Sequence, residues 1–184
     1  MNLNTLGLVH QFLRANVRPG DFCIDATAGK GRDTALLCRL AGEQGRVLAF
    51  DVQEEALAQT RELLNSEGLN AELILDSHAN MSAYTSLESV DCIVFNFGRL
   101  PGGDPKIMTR TESSIAAIGA GLELLKHGGV MALAIYYGGE NGYGERDALL
   151  AYLKTLDSRR YTVLTCDWSN RSGDPPIPVL LWKE

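Results

Sequence analysis

The chain has 184 residues, 45% of them apolar and 22% charged, which is enough for one full hydrophobic core and short for two domains. A net charge of −6 argues against a general polyanion binder and leaves local basic patches open. No apolar run approaches the roughly 20 residues needed to cross a bilayer, and the N-terminus has no signal-peptide pattern, so a soluble cytoplasmic protein with no membrane partner is expected. The four cysteines include no Cys-x-x-Cys pair, and His10, His78 and His127 are dispersed, so buried free thiols and no metal are expected.

In chain order, Leu6, Val9, His10 and Leu13 follow helical spacing and predict an amphipathic helix from Thr5 to Asn16, with His10 as a packed residue. Pro19-Gly20-Asp21 turns the chain into an apolar strand, Phe22-Cys23-Ile24. Then comes Asp25-Ala26-Thr27-Ala28-Gly29-Lys30-Gly31-Arg32-Asp33, leading into a helix from Thr34 to Ala41. Strand, Gly-x-Gly turn and helix form the entrance of a nucleotide-binding α/β unit, because glycines let backbone approach a ligand and the helix start presents free N–H groups. Val47 to Phe50 is the second strand. It ends at Asp51, about 20 residues past the loop, where an acid meets a ribose diol. Gln53 stands two residues further on as another cofactor contact.

The third glycine of a dinucleotide fingerprint is absent, its place taken by Thr34. Carboxylates at Asp25 and Asp33 would repel a pyrophosphate but tolerate an ammonium or a sulfonium, which favours S-adenosyl-L-methionine over NAD. For Asp33 the plainer alternative is a helix cap. Ala26, Thr27, Gly29, Gly31 and Thr34 complete the candidate cofactor contacts of this loop.

Glu54 to Ser66 predicts a helix and Ala71 to Leu75 a strand, after which Asp76, Ser77 and His78 reach the same sheet edge. Asp76 or Ser77 could bond an adenine amino group, and His78 either joins them or caps a short helix. Val90 to Phe95 is the fourth strand, delivering Asn96 and a long glycine-rich loop through Asp104. Thr111 to Lys126 predicts a helix and Val130 to Tyr136 a fifth strand. A second glycine-rich loop, Tyr137 to Gly142, and a helix from Glu145 to Leu156 follow. Tyr161–Trp168 and Ile177–Trp182 are consecutive strands without a helix between them, hence antiparallel neighbours. The expected fold is one α/β domain spanning residues 1–184: a Rossmann-like, seven-stranded, mostly parallel sheet with an antiparallel terminal hairpin and helices on both faces.

The motifs resemble those of the MnmM (YtqB-like) methyltransferases. Asp25 to Thr34 is similar to that family's D-A-T-x-G-x-G-x-D-T motif, and Asn96-Phe97-Gly98-Arg99-Leu100-Pro101-Gly102-Gly103-Asp104 to its N-x-G-x-L-P-G-G-D loop. Tyr136-Tyr137-Gly138 and Asn170 with Pro175-Pro176 match two further signatures, so the likeness runs from His10 to Lys183. Gly139 stands where the family commonly has histidine, Lys30 and Arg32 where it has asparagine and histidine, and Arg171 replaces a frequent glutamine. The resemblance implies S-adenosyl-L-methionine as cofactor and methylation of the 5-aminomethyl group of (2-thio)uridine at the tRNA wobble position, with the anticodon stem-loop as partner. Alternatives are rRNA or a small molecule as acceptor, an NAD-linked oxidoreductase, or a non-catalytic nucleotide-binding partner, to which the absence of the usual histidine at Gly139 points. A homodimer is compatible with the sequence.

For that reaction Asn96 is the expected orienting group as well as a cofactor contact, and Tyr137 a stacking surface for the uracil, while Asp104 either accepts the released proton or, the plainer reading, bonds the loop backbone. Gly98, Arg99, Leu100, Pro101, Gly102, Gly138, Asn170 and Arg171 are expected to contact the substrate. Arg99, Lys106, Arg110, Arg159, Arg160 and Arg171 are candidate phosphate contacts, with a solvated face the plainer reading for most of them.

Overall fold

The computed structural model describes residues 3–98, 109–137 and 139–184. The chain runs α1 (Thr5–Asn16), β1 (Phe22–Asp25), α2 (Arg32–Ala41), β2 (Arg46–Asp51), α3 (Glu54–Glu67), β3 (Glu72–Leu75), a 3₁₀ turn (His78–Ala83), β4 (Val90–Phe97), α4 (Thr111–Leu124), β5 (Leu125–Ile135), α5 (Gly139–Lys154), β6 (Tyr161–Thr165) and β7 (Ile177–Lys183). The strands form one sheet in the order β3-β2-β1-β4-β5-β7-β6. Strand β7 runs antiparallel to both β5 and β6, and the remaining pairs are parallel, as the missing helix between the last two strands requires.

Strand side chains alternate between two cores. Cys23, Val47, Cys92, Val94, Ala132 and Leu180 pack with Val9, Leu13, Leu36 and Leu37 of α1 and α2. Ile24, Leu48, Ile93, Phe95, Met131 and Leu181 pack with Ile118 and Leu122 of α4 and Leu149 and Leu153 of α5. This period of two explains the near-continuous apolar strands of a sheet covered on both sides. Strand order reverses between β1 and β4, which opens a crevice at the carboxyl edge where α/β sheets bind ligands.

Three expected boundaries are corrected. The fifth strand begins at Leu125 and α4 stops at Leu124, because Val90 pairs with Leu125 before a register shift brings Cys92 opposite Val130. Helix α5 begins at Gly139, so the second glycine-rich stretch is mostly helix. A Cβ at Gly142 would sit 3.1 Å from the Tyr137 Cα, so this glycine serves close packing there. Strand β6 ends at Thr165, which leaves Cys166 outside it. Among the described residues no helix is long and apolar enough to cross a membrane.

Lys183 is 6% exposed, and its Nζ donates to the carbonyls of Leu122 (3.0 Å) and Leu125 (2.7 Å), capping the end of α4. Lys183→Met keeps the aliphatic stem and orphans those carbonyls. It is expected to cost about 1–3 kcal/mol in urea unfolding, and an unchanged midpoint would contradict the assignment.

Candidate functional site

The crevice is a cavity of about 570 Å³, lined by the loops that follow β1, β2, β3 and β4, with Tyr136 beyond β5 and Leu6 of α1. Its floor is set by the first loop. There the Ala28 N–H donates to the Phe50 carbonyl (2.8 Å) and Gly31 N–H to Ala28 (2.8 Å), which curls the backbone. Gly31 has φ +77°, and a Cβ there would lie 2.9 Å from the Thr60 Cα. The glycine is therefore needed by the approach of α3, and Gly31 does not line the cavity. Gly29, Ala26 and Thr27 do.

Four carboxylates crowd this edge, and each is accommodated differently. Asp25 is fully buried beneath the cavity, accepting from the Thr27 N–H (3.1 Å) and the Thr34 hydroxyl (2.6 Å). Burial first, and the neighbouring Asp33 charge second, push its carboxyl up to about 7. Neither Asp25 nor Thr34 reaches the cavity, which corrects their expected ligand contact: they brace the loop from below. Asp33 is no helix cap, since Gly31 holds that position without a side-chain bond. It lines the cavity, taking the Asn96 Nδ2 on one oxygen (2.7 Å) and pairing with His10 Nε2 through the other (2.5 Å).

Asp51 lies at the cavity wall, each oxygen accepting one backbone amide, Gly29 N–H and Gln53 N–H, both at 2.9 Å. A carboxylate offers about four lone-pair sites, so two remain for hydroxyls. Asp76 also lines the cavity but is already engaged by Asn80 (2.7 Å), Tyr84 (2.8 Å) and the Ser77 N–H (2.7 Å), bonds that hold its carboxyl below the usual range. Ser77, rather than His78, caps the 3₁₀ turn. The His78 ring packs edge-on to Phe95 and Phe97, burial lowers its basicity, and its buried Nε2 has no hydrogen-bond partner among the described residues.

Asn96 projects from within β4, its N–H held by the Thr27 hydroxyl (2.7 Å). Gly98 follows at φ +134°, where a Cβ would strike the Tyr136 Cβ at 2.8 Å. Gly98 and Thr109 are cross-linked: Thr109 N–H donates to the Gly98 carbonyl (3.0 Å) and Gly98 N–H to the Thr109 hydroxyl (2.8 Å). Buried Glu145 accepts from Thr109 (2.9 Å) and Ser114 (2.7 Å), anchoring the start of α4 and the residue before it to α5. No local pattern announces that clamp, because 31 and 36 residues separate its members.

Tyr136, rather than the expected Tyr137, lines the cavity. One residue of shift at a strand end swaps the face presented. The Tyr137 ring instead meets Tyr143 and the Arg146 guanidinium. Asn170 and Arg171 lie away from the cavity lining. Arg171 stacks on Trp168 at 3.9 Å and donates to the Leu3 carbonyl, fastening the start of α1. Arg99, Leu100, Pro101, Gly102, Asp104, Lys106 and Gly138 lie outside the described residues. Exposed Lys30, Arg32 and Arg110 line the cavity, and only Arg110 belonged to the expected phosphate contacts. Among the described residues no cluster of three or more His, Cys, Asp or Glu is arranged to hold a metal ion.

The cavity fits a nucleoside cofactor. Its volume falls in the usual range of roughly 300–1,000 Å³, Phe50 and Phe97 give apolar wall, Asp51 keeps acceptor capacity, and His78 Nε2 is an orphaned polar atom at the lining.

Comparison with known proteins agrees. The profile of the family described as "Putative rRNA methylase" matches residues 47–182. A crystal structure of a "putative rRNA-methylase" from Clostridium thermocellum is 40% identical over the full length of both chains, with a TM-score of 0.97. A "putative methyltransferase" from Streptococcus mutans, solved in complex with SAH, is 35% identical, also over both full lengths, with a TM-score of 0.90. The chloroplastic tRNA (mnm(5)s(2)U34)-methyltransferase of Arabidopsis thaliana is 30% identical over 177 residues, covering 90% of this chain, which spans 64% of that relative's length.

Two predictions follow from the carboxylates. Asp51→Ala removes up to two charge-assisted bonds of about 1.5–3 kcal/mol each. Isothermal titration with S-adenosyl-L-methionine is expected to show affinity falling by at least about a hundredfold, and binding equal to wild type would remove Asp51 from the site. Asp25, with its value raised to about 7, keeps a proton in the native state that the unfolded chain has lost, so stability falls as pH rises from about 4 to 7. Asp25→Asn should lose less stability than wild type between pH 5 and 8 in urea titrations, and parallel curves would refute the raised value.

Proposed function

The chain belongs to the rRNA-methylase family of S-adenosyl-L-methionine-dependent methyltransferases, and from that premise we propose that it methylates the 5-aminomethyl nitrogen of (2-thio)uridine at the tRNA wobble position. The name of the Arabidopsis thaliana relative supports this substrate. One observation carries the chemical reading: the Asn96 Nδ2 donates to Asp33, so the side-chain oxygen is the end left to accept.

When bound, S-adenosyl-L-methionine supplies a methyl on a sulfonium, open to in-line displacement. A primary amine attacks through its lone pair once neutral, the carbon–sulfur bond breaking as the carbon–nitrogen bond forms and the surplus amine proton passing to solvent. The protein's task is therefore alignment, worth roughly 7–11 kcal/mol of barrier at best. Asn96 Oδ1 accepts one amine N–H and so directs the lone pair. Asp33 keeps the amide from flipping, because an ionised carboxylate accepts and cannot donate. Tyr136 offers an aromatic face for the uracil in the role first given to Tyr137. Lys30, Arg32 and Arg110 at the rim offer positive charge to RNA phosphates although the chain as a whole carries −6.

Nucleoside mass spectrometry of tRNA from a deletion strain tests the reading. Accumulated 5-aminomethyl-type uridine supports it. An unchanged tRNA profile rejects it, and a lost rRNA methyl would move the acceptor to rRNA.

A further inference from the structure

Helix α1 precedes the strand–helix repeat, yet it reaches the site. Leu6 lines the cavity, and one turn further on His10 sets its Nε2 2.5 Å from Asp33 Oδ1. The opposite oxygen of the same carboxylate holds the Asn96 amide at 2.7 Å. The side chains are 24% exposed for His10 and 6% for Asp33, so this run of contacts goes inward from near the surface.

We propose that His10 is a positioning residue for methyl transfer, fixing the Asn96 side-chain amide through Asp33. This rests on the reading that Asn96 orients the acceptor amine. With both oxygens committed to partners on different elements, the Asp33 carboxylate cannot rotate without breaking a contact. The Asn96 main chain is pinned independently by Thr27, so the remaining freedom is the amide torsion, which Asp33 sets. Helix α1 is held in place for the purpose: Asn4 caps it, the Thr5 hydroxyl donates to the Pro176 carbonyl (2.5 Å), and Trp168 Nε1 donates to Thr5 (3.2 Å). The segment between β6 and β7 therefore acts on the site at second hand, by fixing where His10 stands. A packed histidine with no such role would leave turnover untouched when replaced by an apolar ring.

The test uses the full chain with His10→Phe, which keeps bulk, His10→Ala, which removes it, and His10→Gln, whose amide can still donate to Asp33. Wild type and variants are assayed on tRNA from the deletion strain, with cofactor affinity by titration. The expected result is kcat lower by roughly ten- to a hundredfold in the first two, the scale of a small misplacement, with cofactor Kd and KM for tRNA near wild type and most of the rate restored by glutamine. Wild-type kcat in His10→Phe and His10→Ala, a parallel loss of cofactor binding, or no rescue by glutamine would each overturn the proposal. If wild type leaves that tRNA unmethylated, the substrate reading fails separately. The inference is then decided by the Asn96 side-chain amide resonance, identified by its loss in Asn96→Ala: displaced in His10→Phe and returned in His10→Gln supports it, and unmoved overturns it.

Discussion

The site turns on a single carboxylate. Asp33, in the first turn of α2, joins three elements that sequence keeps far apart: α1 through His10, the glycine loop through its own helix, and β4 through Asn96. Its two oxygens point opposite ways, so one residue sets both the seating of α1 and the orientation of an amide in the cavity. Removing a partner from such a buried, bonded charge costs more than the bond is worth, because the charge stays without solvation.

Concentrating acid at one sheet edge is expensive in a chain already at −6, and the fold meets the cost by three routes. Asp51 is solvated by main-chain amides that also shape the loop, so one pair of bonds serves both conformation and ligand readiness. Asp76 draws on Asn80 and Tyr84 within its own turn. Asp25, deepest of the four, is pushed by burial toward its neutral form. The same crowding explains the preference for a cationic donor over a pyrophosphate, since like charges at short range in a half-buried cleft repel strongly.

Much was legible in order of residues. Gly29, Gly31 and Asp51 stand at spacings that few folds other than a nucleotide-binding α/β unit would use, and the β6–β7 antiparallel pair follows from the absence of an intervening helix. Legibility failed where glycine has two meanings. Gly31 and Gly142 read as places for a ligand or a loop, yet both admit a neighbouring piece of backbone or helix. It also failed by one residue at the end of β5, where Tyr136 and Tyr137 are indistinguishable in composition and differ only in the face they take.

Sequence by itself determined the layout: apolar runs of strand length, helices between them, acids closing strands, and therefore a crevice at the carboxyl edge. Those features are local, because period, turn chemistry and spacing act over a few residues. Only tertiary structure decided which acid faces the cavity and which supports it, that His10 reaches Asp33 across 23 residues, and that Glu145 holds Thr109 beside Gly98. Such contacts depend on how far each element sinks and turns against its neighbours, and packing over the whole core sets that geometry while no stretch of sequence encodes it.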